Sequence, residues 1–310
     1  MNHIRASAMG LAQKCNQSFR VPERKEGEPE EVRVNIGSDD ASLGTAFHAV
    51  MVDAIRLDAT DADVLESEIL DTAAQCDVGV ADLRELVERG VPMWQQIKAQ
   101  WFPAGARVVT EQYLGARVAC ADLQLTGHVD AHAIDAANKR AVLLDWKTGH
   151  RTDADYAGQM LAYALLLAST YDIHEVTALV GWVREGPHGS VDDRTYGADD
   201  LQAGLDNLRA LVAATPTYSP GPHCSRCPRQ AACPGRREYA LAAVRSLGAI
   251  AATRTVRDLQ PEEAIDLYRK MQHVRQAIEY VQGEFREMLT ERGMIRTDGG
   301  TLRLQEVARK

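Results

Sequence analysis

The clearest alternation of apolar and polar positions runs from residue 125 to residue 146. Stretches 125–134 and 141–146 are apolar runs of strand length, separated by the polar, turn-rich stretch 135–140, and together they predict a β-hairpin. Pairing Ile134 with Ala141 places Asp130 opposite Asp145. Side chains alternate along a strand, so Lys147 shares the face of Asp145 while Leu144 and Trp146 take the other. The next stretch has helical spacing, with Tyr156, Gln159 and Tyr163 on one face and Met160, Ala164, Leu167 and Ala168 on another.

Other patterns extend this core in both directions. Residues 7–15 predict a short helix and 20–40 an irregular, charged stretch. Ser42 is suited to cap a helix reaching about residue 57, with Leu43, Phe47, Val50 and Ala54 as its buried stripe and His48 off that stripe. Residues 61–100 read as helical with a break near Gly90-Val91-Pro92, and 107–114 as a strand with Glu111 in its middle. A strand over 176–183, a loop at 186–189 and an amphipathic helix over 199–214 follow. The order helix, three strands, helix, strand predicts a mixed α/β fold. Beyond it, 261–292 reads as a long helix with Leu267, Met271, Val274, Ile278, Val281, Phe285 and Met288 in a heptad seam, suited to packing on its own domain, to pairing with a partner chain or a second copy, or to bracing the helical insertion. Residues 295–307, interrupted by Asp298-Gly299-Gly300, predict a terminal hairpin.

Composition narrows the class of protein. With 45% hydrophobic and 25% charged residues among 310, the chain reads as a globular protein with a sizeable core. No apolar run approaches the roughly 18 residues that span a bilayer, and residues 1–13 lack the layout of a signal peptide, so a cytoplasmic protein without membrane contact is expected. The net charge of −9 opposes phosphate binding, but it is unevenly spread. Between Asp53 and Glu88 there are eleven acids against Arg56 and Arg84, whereas seven arginines between Arg226 and Arg257 face only Glu238. A local basic surface is compatible with the acidic total.

Asp130, Asp145 and Lys147 change the picture most. Directly opposed like charges destabilise a sheet, and a bound divalent cation reverses that sign. Two carboxylates suit Mg²⁺ or Mn²⁺, and an adjacent lysine suits orienting or deprotonating a water. For an isolated Asp-x-Lys, a solvated charged face is the ordinary alternative. The second chemical cluster is Cys224-x-x-Cys227 followed by Cys233. Three close thiols need a fourth donor, and no second close Cys or His pair supplies a zinc site, whereas iron-sulfur clusters do use three close cysteines and a distant one. Cys15, Cys76, Cys120 and His223 are the candidates for that donor.

These residues resemble the PD-(D/E)XK nuclease superfamily: Asp130 matches the first acid, Asp145 the second and Lys147 the lysine. Asp145-Trp146-Lys147-Thr148-Gly149 with Gln159 and Tyr163 on the next helix is similar to the RecB-like branch, and Gly44-Thr45-Ala46-Phe47-His48 resembles its histidine motif. The resemblance implies a restriction-endonuclease-like core, with His48 as a further metal ligand, Glu111 as a second-rank one, and Gln159 and Tyr163 contacting DNA or supporting the site. The RecB-like iron-sulfur exonucleases, among them the AddB nuclease domain, the CRISPR-associated exonucleases and phage-encoded relatives, carry one cysteine before the core and three after it. On that pattern Cys15, Cys224, Cys227 and Cys233 bind a 4Fe-4S cluster, with zinc as the alternative. The implied organisation is an N-terminal segment 1–40, a nuclease core 41–215 with a helical insertion 58–100, a cysteine and basic segment 216–257, and a C-terminal extension 258–310. The implied function is a metal-dependent exonuclease on single-stranded DNA ends. A structure-specific endonuclease or nickase and a non-catalytic DNA-binding subunit are the alternatives.

Overall fold

In a computed structural model, the chain divides into two compact units, Met1–Pro216 and Thr217–Lys310. The described residues are 2–19, 39–118, 122–151 and 156–221, and beyond 221 a subset that includes 223, 224, 227, 233–235, 260–265, 295–297 and 300–302.

The first unit is a mixed sheet between two layers of helices. Its strands are β1 (Asn2–Arg5), β2 (Val108–Arg117), β3 (Leu123–Asp135), β4 (Arg140–Lys147), β5 (Glu175–Trp182) and β6 (Ser190–Tyr196). β3 is antiparallel to β2 and β4 and parallel to β1, while β5 is parallel to β4 and antiparallel to β6. One face is covered by α1 (Met9–Lys14), α5 (Ala157–Tyr171) and α6 (Ala198–Ala213), whose apolar residues form a core with Leu125, Val129, Leu143 and Val180. The other is covered by α2 (Asp39–Arg56), α3 (Glu66–Cys76) and α4 (Val80–Trp101), packed on Ala131, Ala133, Val142, Leu144 and Trp146.

The hairpin register is the expected one, with Ile134 paired to Ala141 and the β3–β4 ladder running as far as Ala131 and Leu144. Leu143 and Leu144 fall in opposite cores, as a period of two requires. β3 has a further property. Leu125 and Val129 face α5, yet Ala131 and Ala133 face α2, so the strand reverses its faces at Asp130. Alongside, the β2–β3 ladder pairs Thr110 with Ala131 and Gln112 with Val129 and steps over Glu111, whose φ is +50°. Glu111 and Asp130, the two residues left out of this ladder, mark one reversal shared by both strands.

Four expectations need correction. β1 and β6 were not expected, because both pair at an edge of the sheet, β1 over only four residues and β6 with a mostly polar, exposed sequence. The N-terminal segment is therefore a strand, a 3₁₀ turn over Ala6–Ala8 and the short α1, rather than one helix. Ser42 does not cap α2, which begins at Asp39. The helical insertion breaks not at Gly90-Val91-Pro92, through which α4 runs unbroken, but after α3, where Asp77 takes a left-handed conformation with φ of +52°. Proline removes one backbone hydrogen bond, but Leu83, Leu86, Val87, Val91, Trp94 and Ile97 of α4 are buried. At about 1.5–3 kcal/mol per fully buried large side chain, that stripe outweighs a cost of about 3 kcal/mol.

In the second unit, 261–265 is helical and Ile295–Thr297 (β7) pairs antiparallel with Gly300–Leu302 (β8). Of the heptad seam, Leu267 is buried, whereas Met271 and Ile278 are 48% and 52% exposed. Val281, Phe285 and Met288 lie outside the described residues.

Helix α4 reaches α2 through Gly90, where an added Cβ would stand 2.8 Å from Phe47 Cε2 and 2.9 Å from Met51 Sδ. Both neighbours are buried and cannot move aside. Gly90→Ala is expected to gain about 1 kcal/mol of helix propensity and to lose about 1–3 kcal/mol by overpacking. A lowered thermal midpoint should follow, and an unchanged or raised one would show that the α2–α4 interface has slack.

Candidate active site

The site forms where β3 and β4 part. Their ladder ends at Ala131 and Leu144, one pair short of Asp130 and Asp145. Instead of continuing it, the Trp146 backbone N–H donates to Asp130 Oδ2 at 2.7 Å. A side-chain carboxylate thus satisfies a buried strand amide, and Asp130 is only 8% exposed. On the same side of β3, β1 pairs with Leu123 to Thr126 and β4 with Ala131 to Asp135, which leaves 127–130 between the two partners.

Three donors converge there. His48 of α2 has its Nδ1 3.3 Å from Asp130 Oδ2. Glu111 approaches from the irregular point of β2, and the ligand atoms of His48, Glu111 and Asp130 all lie within 4.8 Å of one another. Among the described residues this is the one group of three such donors that converges so closely. Burial lowers the pKa of His48, but the hydrogen bond and charge of Asp130, helped by Asp145 and opposed by Lys147, raise it on balance. The Glu111 carboxyl is raised by burial and by Asp130, against His48 and His128. A left-handed conformation costs a non-glycine residue of order 1–3 kcal/mol, and such strain gathers at functional sites. Two carboxylates and an imidazole form a donor set for a divalent cation, in which the carboxylate oxygens favour a hard ion.

The second group lies next to the first. Asp145 is 2% exposed, and Lys147 Nζ pairs with its Oδ2. Gln159 Nε2 donates to Asp145 Oδ1 at 3.0 Å and also lies 3.1 Å from Tyr163 Oη. Burial pushes the Asp145 carboxyl up to about 6, with Asp130 adding to it and Lys147 and His48 opposing. Burial lowers the pKa of Lys147, but the charge and hydrogen bond of Asp145 outweigh it and the net shift is upward. Lys147 Nζ also lies 4.9 Å from the centre of the Tyr156 ring, a cation–π contact. Tyr163 is buried, which raises its phenol.

The expected residues therefore fall into two adjoining groups: His48, Glu111 and Asp130 in one, and Asp145, Lys147, Gln159 and Tyr163 in the other. Glu111, ranked second from the sequence, belongs to the convergent trio, whereas Asp145 is held by Lys147 and Gln159. Sequence reasoning missed the Trp146 amide and the Tyr156 ring as partners. Tyr156 had a signal, its position three residues before Gln159 on one helical face, whereas a backbone donor has none.

The cysteines are divided between the units. Cys15 is buried at the end of α1 in the first. In the second, the Gly221 N–H donates to Cys224 Sγ at 3.4 Å and the Cys227 N–H to Cys224 O at 3.2 Å, which closes the Cys-x-x-Cys turn. Cys233 is partly buried, and no fourth cysteine follows residue 216 in the sequence. Cys120 lies outside the described residues and Cys76 ends α3.

Compared with known proteins, residues 5–234 match the family profile of the PD-(D/E)XK nuclease superfamily. No curated protein matches the chain. Among solved structures, the one described as "Crystal structure of SSO0001" is 13% identical, covering 62% of this chain and 84% of that one at a TM-score of 0.30.

Gly127 fixes how Tyr163 meets the site, since an added Cβ would lie 2.7 Å from Tyr163 Cε1 and 3.0 Å from the Ala6 methyl. Gly127→Ala is expected to push the ring away and break the contact of Tyr163 with Gln159. If the site does chemistry, its rate should fall about 10-fold or more while the fold melts within a few degrees of wild type, as a misplacement near 1 Å can do. An unaltered rate in Gly127→Ala would separate Tyr163 from the function of the site.

Proposed function

The chain belongs to the PD-(D/E)XK nuclease superfamily, and we propose that it is a divalent-metal-dependent DNA exonuclease acting on single-stranded ends, of the RecB-like iron-sulfur type. Membership implies hydrolysis of phosphodiester bonds in nucleic acid with Mg²⁺ or Mn²⁺. The observation that carries the reading is the convergence of His48, Glu111 and Asp130 beside the Asp145–Lys147 pair.

The residues fit a hard cation. Asp130 and Glu111 would hold it with His48, and Asp145 stands next to them. When bound, such an ion supplies Lewis-acid stabilisation of the charge that builds on the phosphate during hydrolysis. Lys147 does the rest of the positioning. Its ammonium, held between the Asp145 carboxylate and the Tyr156 face, donates a hydrogen bond to the attacking water and fixes its approach. Gln159 fixes Asp145, and Tyr163 fixes Gln159. A binding module without catalysis has no use for acids gathered at one point, which argues against a non-catalytic subunit. The 261–292 segment, with Met271 and Ile278 half exposed, is assigned to self-association or a protein partner.

Digestion of end-labelled linear and circular DNA, single- and double-stranded, with Mg²⁺, Mn²⁺ or EDTA tests this. Linear single strands should be shortened from an end and circles left intact. Cleavage of circles would identify an endonuclease instead. Asp145→Ala and Lys147→Ala should each lower the rate by about 10²-fold or more, the scale for loss of one preorganised charged group. Wild-type cleavage by Asp145→Ala would refute the assignment.

The 4Fe-4S cluster is assigned to Cys15, Cys224, Cys227 and Cys233. The Cys-x-x-Cys turn, the N–H donated to Cys224 Sγ and the lack of a fourth thiol after residue 216 support it. An N–H directed at sulfur favours the thiolate that a cluster or metal needs. Protein purified without oxygen should be brown, and Cys15→Ser should lose iron and melt earlier, because binding free energy is also folding free energy. Cys76→Ser should keep its iron. One equivalent of zinc without iron, or full iron in Cys15→Ser, would overturn the assignment.

A further inference from the structure

We propose that the open face of the sheet on the approach to the donor group, formed by β1, the first half of β3 and the second half of β2, is a track for single-stranded nucleic acid, with Tyr113 as the platform on which a base stacks and Arg5 and Arg117 as phosphate contacts. The inference deepens the nuclease reading and takes the direction of the track from it.

Helices α2, α3 and α4 cover only part of their side of the sheet. Their core includes Val108, Ala131 and Ala133, but no described residue of 113–117 or 123–128. The reversal at Glu111 and Asp130 explains the boundary. On the far side of it, Leu114, Leu123 and Leu125 point to α5, so their alternating neighbours emerge on the α2 side beyond the reach of those helices.

What emerges is unusual for an idle surface. Tyr113 is 58% exposed, and its ring lies 5.1 Å from that of His128, its partner across the ladder and itself exposed. In the same rows, Arg5 pairs in register with Thr126 and Arg117 with Gln124, and both arginines are exposed. Among the described residues of β1, β2 and β3 on this face, the acids stand at its ends: Glu111, in the donor group, and Asp122 just before Leu123. Tyr113 and His128 pair two rungs along the β2–β3 ladder from the point where it steps over Glu111 and Asp130, so the aromatic pair abuts the donor group.

Chemistry selects the occupant. An exposed ring flanked by guanidinium groups suits an unpaired base with its phosphates, and stacking tolerates any sequence because every base has a π-face. In a duplex those base faces are already stacked on their neighbours, and the flat ring of Tyr113 gains nothing from them. From Glu111 to Arg117 the strand extends roughly 20 Å, room for a few nucleotides leading to the scissile phosphate. The acidic total does not oppose this, because the excess of acid over base gathers between Asp53 and Glu88, where eleven acids face two arginines in the helical insertion and the end of α2.

The test uses the full chain with a fluorescent oligothymidylate in EDTA, where binding is read without cleavage. Tyr113→Ala should bind roughly 5- to 150-fold more weakly, the loss expected for one stacked base, and Tyr113→Trp should restore affinity. Replacing Arg5 and Arg117 by Gln should flatten the slope of log affinity against log salt by about 0.7 for each contact removed. Wild type should prefer the single strand to a blunt duplex of the same length. Unchanged affinity in Tyr113→Ala, an unchanged salt slope in the arginine variants, or a preference for duplex would each overturn the track. These outcomes are independent of catalysis. Loss of cleavage in Asp145→Ala with binding intact supports the nuclease site whatever Tyr113 does, and weak binding by Tyr113→Ala in a protein that cuts nothing would retain the track and reject the nuclease.

Discussion

The hydrogen bond from the Trp146 amide to the Asp130 carboxylate sets the geometry of this site. In an uninterrupted hairpin that amide would face a main-chain carbonyl, and Asp130 and Asp145 would stand side by side. By accepting it with a side chain, Asp130 lets β3 leave β4 without orphaning a buried donor, whose loss would cost about 1–3 kcal/mol. The remaining features follow from that departure. β3 turns over its faces, Glu111 is drawn into a left-handed conformation beside it, and the place vacated along β3 is taken further on by β1.

The same parting of strands resolves an electrostatic conflict. Two acids directly opposed on a sheet repel, and here each has its own counter-charge. Asp130 has the Trp146 amide and His48, and Asp145 has Lys147 and Gln159. The balance is incomplete, since burial and mutual repulsion still hold Asp145 above the usual carboxylate range. A divalent cation held by these residues would relieve the remaining repulsion. Lys147 stays charged because the carboxylate that burial disfavours is also its partner.

The charge distribution shows the same division of labour. The acidic stretch between Asp53 and Glu88 forms the end of α2, α3 and part of α4, where Glu66 pairs with Arg84 and Asp58 with Lys98. These exposed pairs contribute little to stability, and with eleven acids against two arginines the stretch between Asp53 and Glu88 leaves a strong net negative charge on the helical insertion. The sheet face beyond Glu111 carries arginines and aromatic rings instead. A protein with a net charge of −9 thereby presents a surface suited to phosphate close to its donor group.

Sequence alone determined what depends on near neighbours: the β3–β4 register, the opposite facing of Leu144 and Asp145, the spacing of Tyr156, Gln159 and Tyr163 on α5, and the buried stripe of α2. Each is set by a period of 2 or 3.6 residues or by a turn of a few residues, so local pattern suffices. Tertiary structure decided what depends on partners far along the chain. β1 exists because a strand more than a hundred residues away offers it an edge, and α4 continues through Pro92 because its buried stripe outweighs one lost hydrogen bond. Likewise, Glu111 meets His48 and Asp130 only because β3 reverses its faces, a local break in periodicity that no periodic reading can anticipate. The motif residues were legible because their chemistry is rare in combination, but their division into a donor trio and a lysine-centred group was not, since it rests on one backbone amide finding a side chain sixteen residues away.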